Sequence, residues 1–157
     1  MTPAINAAKK AKIPYTIHQY VHNPATGSYG KEAAEKLGLN EARVFKTLVV
    51  ELDEGSLAVG VIPVSAMLGM KLMAKAAGAK RAAMAEKGAV ERSTGYVLGG
   101  VSPLGQKKRL PTFIDSSATN FPTIYVSAGR RGLDIELKPA DLASLTGAKF
   151  AAISEEK

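Results

Sequence analysis

The chain has no cysteine in its 157 residues. That excludes disulfides, thiolate metal sites and a cysteine nucleophile, so any thiol chemistry must take its sulfur from the substrate. No uninterrupted apolar stretch is long enough to span a bilayer, and the first residues lack the apolar centre of a secretion signal. The cytoplasm is therefore the expected location, with no membrane partner. A Gly-x-Ser-x-Gly elbow is missing too, and Gly95-Tyr96-Val97-Leu98-Gly99-Gly100 has the wrong spacing for a phosphate or dinucleotide loop. Neither internal repeats nor linkers interrupt the pattern. Residues 1–157 read as one domain, long enough to bury a real core.

What is present is positive charge, unevenly placed. The formal net charge is +7, with eleven Lys or Arg and three Asp or Glu between Lys71 and Arg131. The remainder of the chain is nearly balanced. A basic excess confined to one central segment is expected of a face that meets a polyanion such as RNA, although a solubilising surface has the same composition.

Along the chain, Thr2-Pro3 starts a helix that Pro14 stops, and Tyr15–Val21 alternates as a strand. Asn23-Pro24 and Thr26-Gly27-Ser28 form a loop, and Lys31–Leu37 is a helix closed by Gly38. Val44–Val50 and Leu57–Val64 flank the acidic turn Asp53-Glu54-Gly55 as a hairpin. Met67–Ala77 is expected as a helix, Arg81–Met84 as a strand and Ala85–Arg92 as a helix. Four glycines and a proline between Ser93 and Gly105 demand a shaped loop or bulged strand. Thr112–Asp115, Thr123–Ser127 and Leu133–Leu137 are expected strands, Asp141–Leu145 a helix and Lys149–Ile153 a closing strand. The sum is a mixed sheet or barrel wrapped by helices.

One residue contradicts its surroundings. Lys46 sits within Val44-Phe45-Lys46-Thr47-Leu48-Val49-Val50, on the face that alternation assigns to Val44, Leu48 and Val50. An ammonium among aliphatic neighbours either meets an anion, lines a cavity or reaches water over an apolar stem. Three segments could build a site with it. Gly99-Gly100 lets a ligand approach the backbone closely, or is a tight turn. Ser127 to Asp134 supplies a hydroxyl, the guanidiniums of Arg130 and Arg131, and a carboxylate among apolar residues. Asp134 could oppose Lys46, hold a substrate amine or be an ordinary edge carboxylate, whereas the arginines suit phosphate contacts. His18, Tyr20 and His22 share one strand face, but no third ligand stands near to complete a metal site, so a polar face or pocket wall is expected.

Thr2-Pro3-Ala4, Phe45-Lys46-Thr47-Leu48, Ser93-Thr94-Gly95-Tyr96, Gly99 to Lys108 and Tyr125 to Gly129 resemble the bacterial YbaK/EbsC family of Cys-tRNA(Pro)/Cys-tRNA(Cys) deacylases. The wider superfamily, with the editing domain of bacterial prolyl-tRNA synthetases, is similar only around the lysine and the glycine loops. The resemblance implies a single α/β (α+β) domain with a mixed, largely antiparallel, barrel-like sheet flanked by helices. It implies trans-editing hydrolysis of the cysteinyl ester, in which the substrate thiol attacks its own carbonyl and leaves as a cyclic thioester, with no metal, cofactor or protein nucleophile. Lys46 then corresponds to the essential lysine. Tyr20, Thr47, Gly99, Gly100, Ser127, Gly129 and Asp134 fall at pocket positions, and Tyr29 stands where a phenylalanine is expected. Lys71, Lys75, Lys107, Lys108, Arg109, Arg130 and Arg131 are expected tRNA contacts. Prolyl-tRNA synthetase is the implied partner, with no role for DNA. Alternatives are a deacylase of another small aminoacyl-tRNA such as Ala-tRNA(Pro), using water, and a non-catalytic tRNA-binding module.

Overall fold

In the computed structural model, which describes residues 1–25 and 28–157, the chain opens with helix α1 (Pro3–Ala11). The Thr2 hydroxyl oxygen caps it by accepting from the Ile5 N–H at 3.2 Å, and Pro3 takes the first helical position, where no N–H partner is needed. Thr26 and Gly27, part of the expected loop, lie outside the described residues.

Strand β1 (Tyr15–Gln19) ends two residues before the expected Val21. Helix α2 (Tyr29–Leu37) starts earlier than expected and ends on Gly38, left-handed at φ 67°. β2 (Phe45–Leu52) and β3 (Leu57–Pro63) make the expected hairpin, with Lys46 opposite Ile62. Met67–Ala77 is not one helix. Ala66–Leu68 is strand β4 and only Met70–Ala77 is helical (α3). The reason is a distant partner: the Gly69 N–H donates to the Ile153 carbonyl at 2.8 Å, and a Cβ on Gly69 would stand 2.9 Å from Glu155. Local periodicity carries no trace of a strand from the other end of the chain.

The rest follows as β5 (Ala82–Met84), α4 (Lys87–Thr94), β6 (Thr112–Asp115), β7 (Ile124–Arg130), β8 (Leu133–Leu137), α5 (Pro139–Thr146), β9 (Lys149–Ala151) and β10 (Ser154–Glu156). The expected closing strand Lys149–Ile153 is thus shortened to Lys149–Ala151, which joins β6, and β10, beyond the expected strand, joins β4. Among the described residues the sheets are β5-β2-β3-β6-β9, β1-β8-β7 and β10-β4. Pairings of β6 with β3 and β9 are parallel and the others antiparallel, so the sheet system is mixed and largely antiparallel. Among the described residues no closed barrel is found. Closure needs a continuous ladder; here one bridge, Val44 with Tyr125, links the two larger sheets, and β7 shifts register between Ser127 and Arg130.

Alternation along the hairpin splits the core. Phe45, Val49, Val59 and Val61 pack with Ala8 of α1, Leu142 of α5 and the inner residues of β7 and β8. Val50, Ala58 and Ile62 pack the other way, against Met73 of α3 and Ile153. Lys46, whose strand partner is Ile62, belongs to this second face.

A buried carboxylate ties down the chain end. Asp115 accepts from the N–H groups of Ile153 and Ser154, both at 3.1 Å, and of Ser117 at 3.3 Å. Asp115→Ala strands these donors, so a loss of about 2–3 kcal/mol is expected, read as a lower urea midpoint at unchanged slope. Asp115→Asn, which keeps one acceptor oxygen, should lose less.

Candidate functional site

A cavity of about 260 Å³ opens where β2 begins. Five consecutive residues, Val44 to Leu48, contribute to its wall. Side chains of neighbouring strand residues point oppositely, so backbone as well as side chains must face the space. The start of α2 brings Ser28, Tyr29 and Gly30 to one side, and the loop after α4 brings Leu98, Gly99 and Val101 to another. Ser127, Arg130, Asp134 and Tyr20 complete it.

Lys46 lines this space half-buried. Burial disfavours its ammonium first, and the charges of Lys157 and Lys31 add repulsion, so its pKa lies below the ordinary lysine value. Asp134 is 6% exposed, and desolvation pushes its carboxyl up to about 7. Among the described residues no ion pair joins it to Lys46. The two line the same cavity without forming a direct ion pair. Tyr20 is raised to about 12, by burial first and by the neighbouring Asp134 charge second, so its phenol stays a donor at neutral pH. The Thr47 hydroxyl is buried in the lining without a partner, a polar group that a ligand would satisfy.

The glycines divide into two kinds. Gly99, left-handed at φ 90°, lines the cavity; a Cβ there would meet Arg131 Nε at 2.5 Å and the Tyr29 ring at 2.7 Å. Gly100 and Gly129 stand behind the wall. A Cβ on Gly100 would lie 2.8 Å from the Arg130 backbone, and one on Gly129 the same distance from the Tyr96 ring. Their loops are locked from behind. The Thr2 hydroxyl donates to the Ala128 carbonyl, and the buried Tyr96 hydroxyl donates to the Leu104 carbonyl at 2.6 Å.

The three residues that the sequence assigns to one strand face go to different places, because β1 stops at Gln19. His18 Nε2 lies 2.9 Å from Glu136, His22 Nδ1 lies 2.7 Å from Glu32, and Tyr20 alone lines the cavity. Burial alone would raise Glu32, but hydrogen bonds from His22, the Asn23 N–H and Lys36 hold it down at about 2. This carboxylate fastens the segment after β1 onto α2. Among the described residues no group of three or more His, Asp or Glu could hold a metal ion.

The seven basic residues do not share one patch. Arg130 lines the cavity and Arg131 sits at its mouth, over the Tyr29 ring. Lys71 and Lys75 are exposed on α3, which covers the second core face. Lys107, Lys108 and Arg109 are exposed beyond Gly105; the last two line a separate cavity of about 210 Å³ with Ala7 of α1 and Leu145 of α5. Sequence reasoning misses the start of α2 at Ser28 and Gly30, and Leu98. Small or apolar loop residues have no chemical signature; the packing of α2 against Val64 and Tyr125 brings the first two to the cavity, and Leu98 arrives with the loop that Arg131 holds.

The model of the aminoacyl-tRNA editing domain matches residues 23–145. The chain is 38% identical over 156 residues to EbsC of Enterococcus faecalis, a protein whose name assigns it provisionally to Cys-tRNA(Pro)/Cys-tRNA(Cys) deacylation; the match spans 99% of this chain and 94% of that protein. A hypothetical protein of solved structure is 26% identical with a TM-score of 0.86, over 98% of this chain and 100% of the other. A crystal structure described as a candidate trans-editing enzyme for prolyl-tRNA synthetase shares the fold, at TM-score 0.80 and 22% identity over 99% of each chain. This chain belongs to the aminoacyl-tRNA editing domain family.

Proposed function

We propose that the protein is a trans-editing deacylase that hydrolyses the aminoacyl ester of Cys-tRNA(Pro) and Cys-tRNA(Cys). The observation that carries this reading is the pair of uncompensated charges in one cavity. Among the described residues no ion pair within 4 Å involves Lys46 or Asp134, and the two do not pair with each other. A ligand with an ammonium at one end and a phosphodiester at the other complements both, and the 3′ end of an aminoacylated RNA has that form. Asp134 takes the α-ammonium, Lys46 the charge on the RNA side, and the Thr47 hydroxyl a substrate oxygen.

The nucleophile comes from the substrate, since the chain has no thiol. The cysteinyl sulfur attacks its own carbonyl carbon, a C–S bond forms, the C–O bond to the ribose breaks and the thiol proton ends on the ribose oxygen. Water then opens the cyclic thioester to free cysteine. Serine and alanine are spared because a hydroxyl is far less ionised than a thiol and a methyl cannot attack. Exposed Lys71, Lys75, Lys107, Lys108, Arg109 and Arg130 contact phosphates without reading sequence and Arg131 contacts the RNA end at the cavity mouth, so tRNA identity must come from a partner, here prolyl-tRNA synthetase. Residues 1–157 act as one such domain.

Purified protein should release free tRNA from Cys-tRNA(Pro) while leaving Ser-tRNA and Ala-tRNA charged. Lys46→Ala should slow the release by about 10²–10³-fold, the usual cost of deleting one preorganised charge donor. Equal turnover by both proteins would remove Lys46 from the mechanism, and rapid loss of alanine from Ala-tRNA would replace the thiol by water.

The Asp134 carboxylate exists only above its pKa of about 7, and a bound ammonium draws that value down. Binding of an amide-linked cysteinyl adenosine, which cannot be hydrolysed, should therefore weaken as pH falls through and below neutrality. At high pH the ligand amine loses its own charge and binding weakens again. Asp134→Asn should flatten both limbs, because each depends on the carboxylate–ammonium pair; titration calorimetry of wild type and variant from pH 5 to 9 checks this.

A further inference from the structure

Arg131 has a second feature that a phosphate contact does not need. Its guanidinium carbon stands 4.3 Å from the centroid of the Tyr29 ring, and its Nη2 donates to the Leu98 carbonyl at 2.7 Å. The guanidinium is thereby held over an aromatic ring and tied to a backbone acceptor, each from another segment. Gly99 must be glycine for this to happen, because any Cβ would occupy the space where Arg131 and Tyr29 meet. Arg131 is nevertheless exposed, so the face turned away from Tyr29 meets solvent. Beside it Val97 and Leu98 are 59% and 40% exposed, an apolar rim next to a planar cation.

We infer that the Arg131–Tyr29 stack is the seat of the nucleobase belonging to the ribose that bears the ester. The inference rests on the deacylase reading, because it takes the cavity mouth as the place where the RNA end enters. An ester held beside Lys46 leaves its own ribose at the mouth, and the attached base must lie within one sugar of that point. Unstacked bases at RNA ends settle on aromatic rings and on arginine planes, where every base offers a π face. A lysine could supply the charge here but not the plane. Arg131 is accordingly a positioning residue: it sets where the base rests, and through the ribose where the carbonyl sits relative to Lys46.

The test is a thermodynamic cycle on uncharged RNA, a short hairpin with a single-stranded 3′ end, either intact or with the terminal nucleotide made abasic. Affinity is measured by fluorescence anisotropy at one fixed salt concentration. Wild type should prefer the intact end by about 5- to 10-fold, the lower range for one stacked base. Arg131→Lys, which keeps the charge, should bind both ends alike. Should that variant be unfolded, Tyr29→Leu removes the ring beneath the guanidinium and should give the same loss of preference. The inference is overturned if wild type binds both RNAs equally, if it binds neither, or if the folded variants lose affinity for intact and abasic ends by the same factor, as a phosphate contact or a merely structural role would require. Since the cycle uses no charged tRNA, a protein that keeps the preference yet hydrolyses no ester would sink the deacylase reading and leave the base seat standing.

Discussion

Everything at this site depends on an ammonium that the fold refuses to neutralise. Lys46 is drawn out of water by the start of β2 and finds no carboxylate; the charges that act on it are Lys157 and Lys31, of the same sign. Asp134 is buried more deeply in the same cavity and, among the described residues, forms no ion pair. If the two had met, they would form a buried ion pair, closing the space and lowering the pKa of the acid. Held apart, each disfavours its own charged form, an arrangement that costs the folded protein stability.

Rigidity behind the cavity keeps the charges apart. The Thr2 hydroxyl fixes the end of β7 to the cap of α1, Tyr96 fixes the glycine-rich loop to Leu104, and Glu32 fixes the segment after β1 to α2. None of these groups lines the space. They explain why Gly100 and Gly129 are glycine although neither faces a ligand: the loops pack against backbone and ring at distances that leave no room for Cβ. A motif rich in glycine thus mixes one position that shapes the cavity with others that shape its support.

The hairpin of β2 and β3 and the helices α1 and α2 were legible because local rules govern them: alternation, the Thr-Pro start, glycine at the helix end. Lys46 was legible for the same reason, as a violation of alternation in an apolar strand. The helix expected over Met67–Ala77 lost its first turn to β4, and the strand β10 that pairs with it lies beyond the expected closing strand, because both depend on a pairing between segments far apart in the chain. The histidine pair lost its common face once β1 ended at Gln19 and each ring found its own glutamate. Likewise the basic segment, contiguous in sequence, is carried by α3 on one side of the larger sheet and by the loop near α1 and α5 on the other.

By itself the sequence determined the absence of a protein thiol, the surplus of positive charge and the lysine within an apolar strand, since each is a property of composition or of a two-residue repeat. Whether that lysine met Asp134 could only be decided in three dimensions, as could the placing of Arg131 on Tyr29 and the strand pairings at the chain ends. These are contacts between residues distant along the chain, and their energies depend on separation and solvent exclusion, which no local pattern encodes.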